Sequence, residues 1–183
     1  MTTTKKSTLK TEVHFSEDSK HRYLLRKEWD KRKKKAMVIM KNPSDADDMI
    51  LDVTTLCVIN NLTRLDFGSV DIVNMFSRVD TKLSLKQSDE ELIGKENDEY
   101  IKKSASDSDC IIIAWGSVGK NGGKIKVRQQ EILKILDEHK DKMYEIGDST
   151  GKKGFHPLAP QVRHSWELKE LYEKTEENSE EDK

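Results

Sequence analysis

Four short clusters in this chain carry side chains able to hydrogen-bond or stack: Asn42-Pro43-Ser44, Asn74 with Phe76, Trp115-Gly116-Ser117, and His156-Pro157-Leu158. Brought to one place, their amides, aromatic ring and histidine make a pocket that can hydrogen-bond a planar heterocycle and stack on it. A nucleobase fits that description. The chain has no GxxxxGK[ST] phosphate loop, no GxGxxG and no clustered acids for a two-metal site, so neither a cofactor nor a metal is expected. The glycine-rich stretch 119–123 is only superficially like a phosphate cradle, because it lacks the Lys-Ser/Thr ending.

Each cluster sits where a strand should end. Residues 36–40 (Ala-Met-Val-Ile-Met) form an apolar run that suits a buried parallel strand. Pro43 cannot donate to a ladder and turns Asn42 away from helical geometry, so the strand stops there. Open α/β sheets place ligands at such carboxyl ends. Further strands are read over 69–74, 110–115 and 143–146. Helices are read over 53–65, behind a cap at Asp52, and over 89–104 and 124–140, the 89–104 helix as an exposed one. A polar loop is expected from 80 to 88, and a last helix over 166–174. Residues 13–15 and 22–26 flank a turn-forming stretch and read as a hairpin at one sheet edge. Strands alternating with helices predict an α/β fold with a parallel sheet covered on both faces.

The chain has 183 residues, 34% hydrophobic and 37% charged, which suits one compact domain with a heavily charged surface. The boundaries read as a disordered tail over 1–10, a single domain over 11–174 and an acidic, mobile tail over 175–183. No apolar stretch approaches the ~20 residues of a membrane span, and the Thr/Lys-rich start lacks a signal peptide's apolar segment. A soluble, cytoplasmic chain with no membrane partner is expected. Cys57 and Cys110 read as buried free thiols. Net charge is −1. That average hides a basic run (Lys31, Arg32, Lys33, Lys34, Lys35) directly before the central strand, a candidate contact for nucleic-acid phosphates together with Lys41.

The order of these motifs resembles the uracil-DNA glycosylase superfamily. The counterparts are Met40-Lys41-Asn42-Pro43, Ile72-Val73-Asn74, Ala114-Trp115-Gly116-Ser117 and His156-Pro157-Leu158. More closely, the run from Arg22 to Pro160 is similar to the bacterial and mobile-element family catalogued as domain of unknown function 1643. That family's hallmarks are Asn-Pro-Ser, Asp-x-Thr (here Asp52-Val53-Thr54), Val-x-Asn-x-Phe, Trp-Gly and His-Pro-Leu. The resemblance implies a three-layer αβα sandwich around a four-stranded parallel sheet, here with the N-terminal hairpin added. It makes Asn42 and His156 the catalytic candidates, with Asn74, Phe76 and Ser44 binding the base and Asp52 as a possible second acid. His156 would polarise the leaving base's carbonyl as negative charge develops there. Three departures bear on activity. Asn42 stands where the most active members place an Asp and cannot accept a proton as a carboxylate does. The Ser of the His-Pro-Ser loop is replaced by Leu158. Lys41 replaces a glycine that allows close backbone approach to a base.

Every one of these residues also has a structural reading. His156 can cap a strand end, and Asn74 can brace a loop. Trp115 and Phe76 can be core, Asp52 a helix cap, and the basic run a solvated face. Three functions remain open at this point. One is a glycosylase-like protein that binds DNA, single-stranded or uracil-containing, with weak or lost base excision. The second is a non-catalytic module that binds an acidic, DNA-mimicking glycosylase inhibitor or a replication partner. The third is an enzyme acting on a free nucleoside or nucleotide.

Overall fold

The computed structural model describes residues 1–44, 46–79, 87–117 and 122–172. The polar loop expected over 80–88 is described only at Gln87 and Ser88, the 119–123 stretch only at its last two residues, and the acidic tail lies outside the described residues.

The elements are β1 (Lys10–Phe15), β2 (Arg22–Glu28), β3 (Lys34–Met40), α1 (Val53–Arg64), β4 (Phe67–Asn74), α2 (Asp89–Ile93), α3 (Asn97–Ser106), β5 (Cys110–Ile113), α4 (Gly123–Ile135), a 3₁₀ segment (Asp137–Lys142), β6 (Met143–Gly147) and β7 (Glu167–Glu170). The fold is α/β. The sheet has seven strands in the order β1-β2-β4-β3-β5-β6-β7, which corrects the four-stranded expectation. It is mixed: β4, β3, β5 and β6 run parallel, while β1–β2, β2–β4 and β6–β7 are antiparallel pairings.

β3 lies at the centre because its apolar run has something to bury on both sides. Val38 and Met40 join a cluster with Val58 and Leu62 of α1 and with Val162 and Trp166. Met37 and Ile39 join a second cluster with Ile101 and Ala105 of α3 and Ile132 of α4. The alternation of a strand's side chains between faces sorts them this way. Each fully buried aliphatic side chain contributes about 1.5–3 kcal/mol. Helix α1 starts where expected, with the Asp52 carboxylate accepting the Thr55 N–H at 2.7 Å.

Several boundaries differ from the sequence reading. The helix expected over 89–104 is two helices parted at Gly94, whose φ of 73° stops α2. Neither is simply exposed, since Leu92, Ile101 and Ala105 are fully buried. The helix expected to reach residue 140 ends at Ile135, because the Asp137-Glu138-His139-Lys140 run has no apolar stripe to pack and tightens into 3₁₀ geometry. The last helix expected over 166–174 is instead β7, paired antiparallel with β6; residues 173–174 lie outside the described residues. Residues 1–9 are exposed and without regular structure, and β1 begins at Lys10, inside the expected tail. Cys57 and Cys110 are free and buried, and burial pushes the Cys110 thiol up to about 12. No described helix is long and apolar enough to cross a membrane.

Candidate functional site

The parallel strands converge at their carboxyl ends, where the ladder runs a little past the strands. Met75 N–H donates to Met40 O at 2.9 Å, Phe76 N–H to Lys41 O at 3.0 Å, and Ala114 N–H to Ile39 O at 2.9 Å. Beyond Pro43, Ala46 packs into the cluster on the α1 side of the sheet.

Asn74 pairs with Met40 at the end of β4. Ile72 belongs to the α1-side cluster and Val73 to the other, so alternation turns Asn74 toward α1. It is 1% exposed, and neither its Oδ1 nor its Nδ2 has a hydrogen-bond partner. Such groups are rare in folded proteins, because each unmade bond costs about 1–3 kcal/mol. Ser44 Oγ and Thr55 Oγ1 are buried without a partner as well.

Arg22 completes the group. Leu25 of β2 lies opposite Ile72, but Arg22 N–H donates to Ser77 O at 2.8 Å, two residues out of that register. Against β1 the register shifts by one residue, His14 lying opposite Leu24 but Phe15 opposite Arg22, and this turns the Arg22 side chain toward Ser44 and Ala46. Its Nη1 donates to Ser44 O at 3.2 Å and to Ala46 O. Arg22 is 2% exposed, and its Nε and Nη2 have no partner. Burial draws its pKa down to about 10, against the pull of Asp52 and Asp47. Lys27, also buried, donates to Asp47 O at 3.1 Å and Asp48 O at 3.3 Å and so holds the far side of the same loop.

His156 lies in the loop after β6. Its Nδ1 accepts the Leu158 N–H at 3.2 Å, so the neutral ring carries its proton on Nε2. Burial, then the charge of Lys41, lowers its pKa, with Asp52 opposing. Gly116, at φ 70°, packs against it; a Cβ there would stand 3.0 Å from His156 Cβ. The Trp-Gly and His-Pro-Leu motifs therefore meet. Replacing Gly116 with Ala is expected to displace His156, lowering any His156-dependent activity at least about tenfold and stability by about 1–2 kcal/mol. Activity and urea unfolding, measured together, check this.

The other expected residues fall into three groups. Asn42 lies beside Lys41, with its Nδ2 donating to Pro43 O at 3.1 Å. Asp52 is the cap of α1, with its charge felt by both Arg22 and His156. Phe76 is separate: it is fully buried in the cluster on the other face, where it lines a cavity of about 160 Å³ with Arg128, Lys124 and Glu131. Trp115 is partly buried against that same cluster. The basic run is separate too, because it leads into β3 and forms its first two residues, and so lies at the amino edge of the sheet. That is roughly 20 Å from Met40 at strand rise. There Arg32 pairs with Asp30, Lys33 with Asp66 and Lys35 with Asp71. Of the proposed phosphate contacts, Lys41 alone lies at the site.

Sequence reasoning missed Arg22, Lys27 and Thr55. A cation at each end of β2, Arg22 and Lys27, with Leu24 and Leu25 between them was the available signal for the first two. Thr55 had none beyond its place in the first turn of α1. No group of three or more His, Cys, Asp or Glu among the described residues is placed to hold a metal ion.

A family model described as a protein of unknown function, DUF1643, matches residues 22–158. The chain belongs to this family. The matched span runs from Arg22 to Leu158 and takes in Asn42, Ser44, Asp52, Thr55, Asn74, Gly116 and His156. β1 and β7 lie outside it. No curated protein and no solved structure matches the chain.

Proposed function

We propose that this chain binds a nucleobase of DNA at the carboxyl ends of β3, β4 and β5, in the manner its motifs share with the uracil-DNA glycosylase superfamily, with base excision weak or lost. The observation that carries the reading is Asn74, a buried amide with both donor and acceptor unmet. One amide edge complements the paired carbonyl and N–H of a pyrimidine. Further support comes from the parallel strands at the sheet centre, whose ends bring the Asn-Pro-Ser, Asn74, Trp-Gly and His-Pro-Leu motifs to one edge.

His156 suits a step in which a base leaves as an anion. Its neutral ring, fixed through Nδ1, offers the Nε2–H to an oxygen on which charge accumulates. Water activation is the weak point. The Asn42 amide donates to Pro43 O and cannot take a proton, and Asp52 holds the Thr55 N–H at 2.7 Å. Any hydrolysis therefore relies on an oriented, unactivated water and on departure of the base.

Excision of uracil from a labelled oligonucleotide, single- and double-stranded, tests the reading. Activity is expected to be slow and to fall about 100-fold or more in His156→Ala. It should also fall as pH drops, because the folded ring's pKa lies below 6.5 and protonation breaks the bond from Leu158 N–H. The same ring contributes stability that is present above its unfolded pKa and lost as pH falls toward the folded value. A chain that neither cleaves nor binds uracil-containing DNA at low salt would sink the proposal. The acidic-inhibitor partner would then be tried first.

A further inference from the structure

Arg22 is a buried cation whose best recognition edge is empty. In a guanidinium, Nε–H and Nη2–H point the same way and form a fork matched to two oxygens of one anion. Arg26 in this same chain shows that edge in use: its Nε and Nη2 donate to the two oxygens of Asp71 at 2.7 and 2.8 Å. In Arg22 the same pair has no partner, and Nη1 alone is anchored, on the carbonyls of Ser44 and Ala46. Among the described residues, the acids that act on its charge are Asp47 and Asp52. Both are turned to the backbone, Asp47 accepting Met49 N–H and Ile50 N–H and Asp52 accepting Thr55 N–H. An isolated buried charge is costly unless something completes it.

Two buried hydroxyls at the same edge of the sheet favour an oxyanion. Ser44, whose carbonyl already holds Arg22, has a buried hydroxyl with no partner, and so does Thr55 in the first turn of α1. Both can donate to anionic oxygen. α1 has 12 residues, and its N-terminal dipole is positive.

We propose that Arg22, with the hydroxyls of Ser44 and Thr55, forms an oxyanion subsite that takes a phosphate group of the ligand whose base is read by Asn74. The ligand is then a nucleotide unit, and the subsite lies at the carboxyl edge of the sheet, apart from the basic run. The identity of the attached base rests on the reading above; the anion subsite itself does not.

Thermal unfolding of the full chain tests it, with inorganic phosphate, sodium acetate, dUMP and deoxyuridine added at matched ionic strength against chloride. Phosphate and dUMP are expected to raise the melting temperature of the wild type in a saturable way, with deoxyuridine weaker than dUMP by about tenfold to a hundredfold in apparent Kd. Arg22→Lys keeps the charge but loses the fork, and should remove most of the phosphate effect. Should that variant fail to fold, Ser44→Ala and Thr55→Val make the same test, each expected to weaken phosphate several-fold. A wild type indifferent to phosphate overturns the subsite, as does a phosphate effect equal in all variants. Stabilisation by acetate but not phosphate would assign the fork to a carboxylate and overturn the nucleotide claim. Saturable, Arg22-dependent phosphate binding without any preference for dUMP over ribose 5-phosphate would sink the nucleobase reading and leave the subsite standing. Nucleobase binding indifferent to Arg22, Ser44 and Thr55 would do the reverse.

Discussion

Asp71→Asn is expected to lower the stability of the fold by about 3–5 kcal/mol at neutral pH, the cost of breaking a buried ion pair. Asp71 is fully buried in β4. It holds the Arg26 fork with both oxygens and Lys35 Nζ at 2.8 Å. The amide keeps the shape but presents one acceptor and one donor to two cations. Arg26 and Lys35 both reach partly to solvent, so the loss should sit at the lower end of that range. The pH dependence follows from the carboxyl's own balance. Burial pushes its pKa up, but the bonds from Arg26 and Lys35 outweigh that and hold it below the usual 3.8. A depressed carboxylate contributes stability that is present above its unfolded pKa and lost as pH falls through the folded one. Wild-type and variant stabilities should therefore converge below about pH 4. Urea unfolding across that range measures it, and a difference under about 1 kcal/mol at pH 7 would show that the pair adds little.

Asn74→Leu should separate function from stability. The native amide is buried with both polar atoms unmet, so an apolar side chain of similar size removes an existing penalty. The free chain is expected to gain about 1–3 kcal/mol. Binding of uracil-containing DNA should fall at least about 100-fold, because a site built to hydrogen-bond rejects what it cannot pair. Fluorescence anisotropy and urea unfolding on one preparation give both numbers. A destabilised variant that binds normally would assign the amide to the fold and not to a ligand.

What the sequence made legible was local and well bounded. The 36–40 run had to be a strand buried on both faces, and Asp52 had to cap α1; both follow from a few adjacent residues. The misreadings arose where distant pairing decides. Glu167-Leu168-Lys169-Glu170 has helix-forming residues, and only the open side of β6 makes it a strand. Arg22 reads as a surface cation until the one-residue irregularity against β1 turns it inward. Lys31 to Lys35 run into the start of β3, and the length of that strand carries them away from Asn42. Phe76, two residues after Asn74, falls into the other core, because the alternation that holds inside β4 ends with it.

The strands outside the matched family span are the ones that close the sheet. β1 and β7 sit at its two ends, and each carries charge at alternating positions: Lys10 and Glu12 on one, Glu167 and Lys169 on the other. Inside them lie β2, largely buried, and β6, both with apolar side chains. An uncovered strand of that kind offers a row of free N–H and C=O groups to any passing chain and nucleates aggregates. The borders of this sheet thus answer to colloidal behaviour, while its interior edge answers to the ligand, and the two can diverge independently in related sequences.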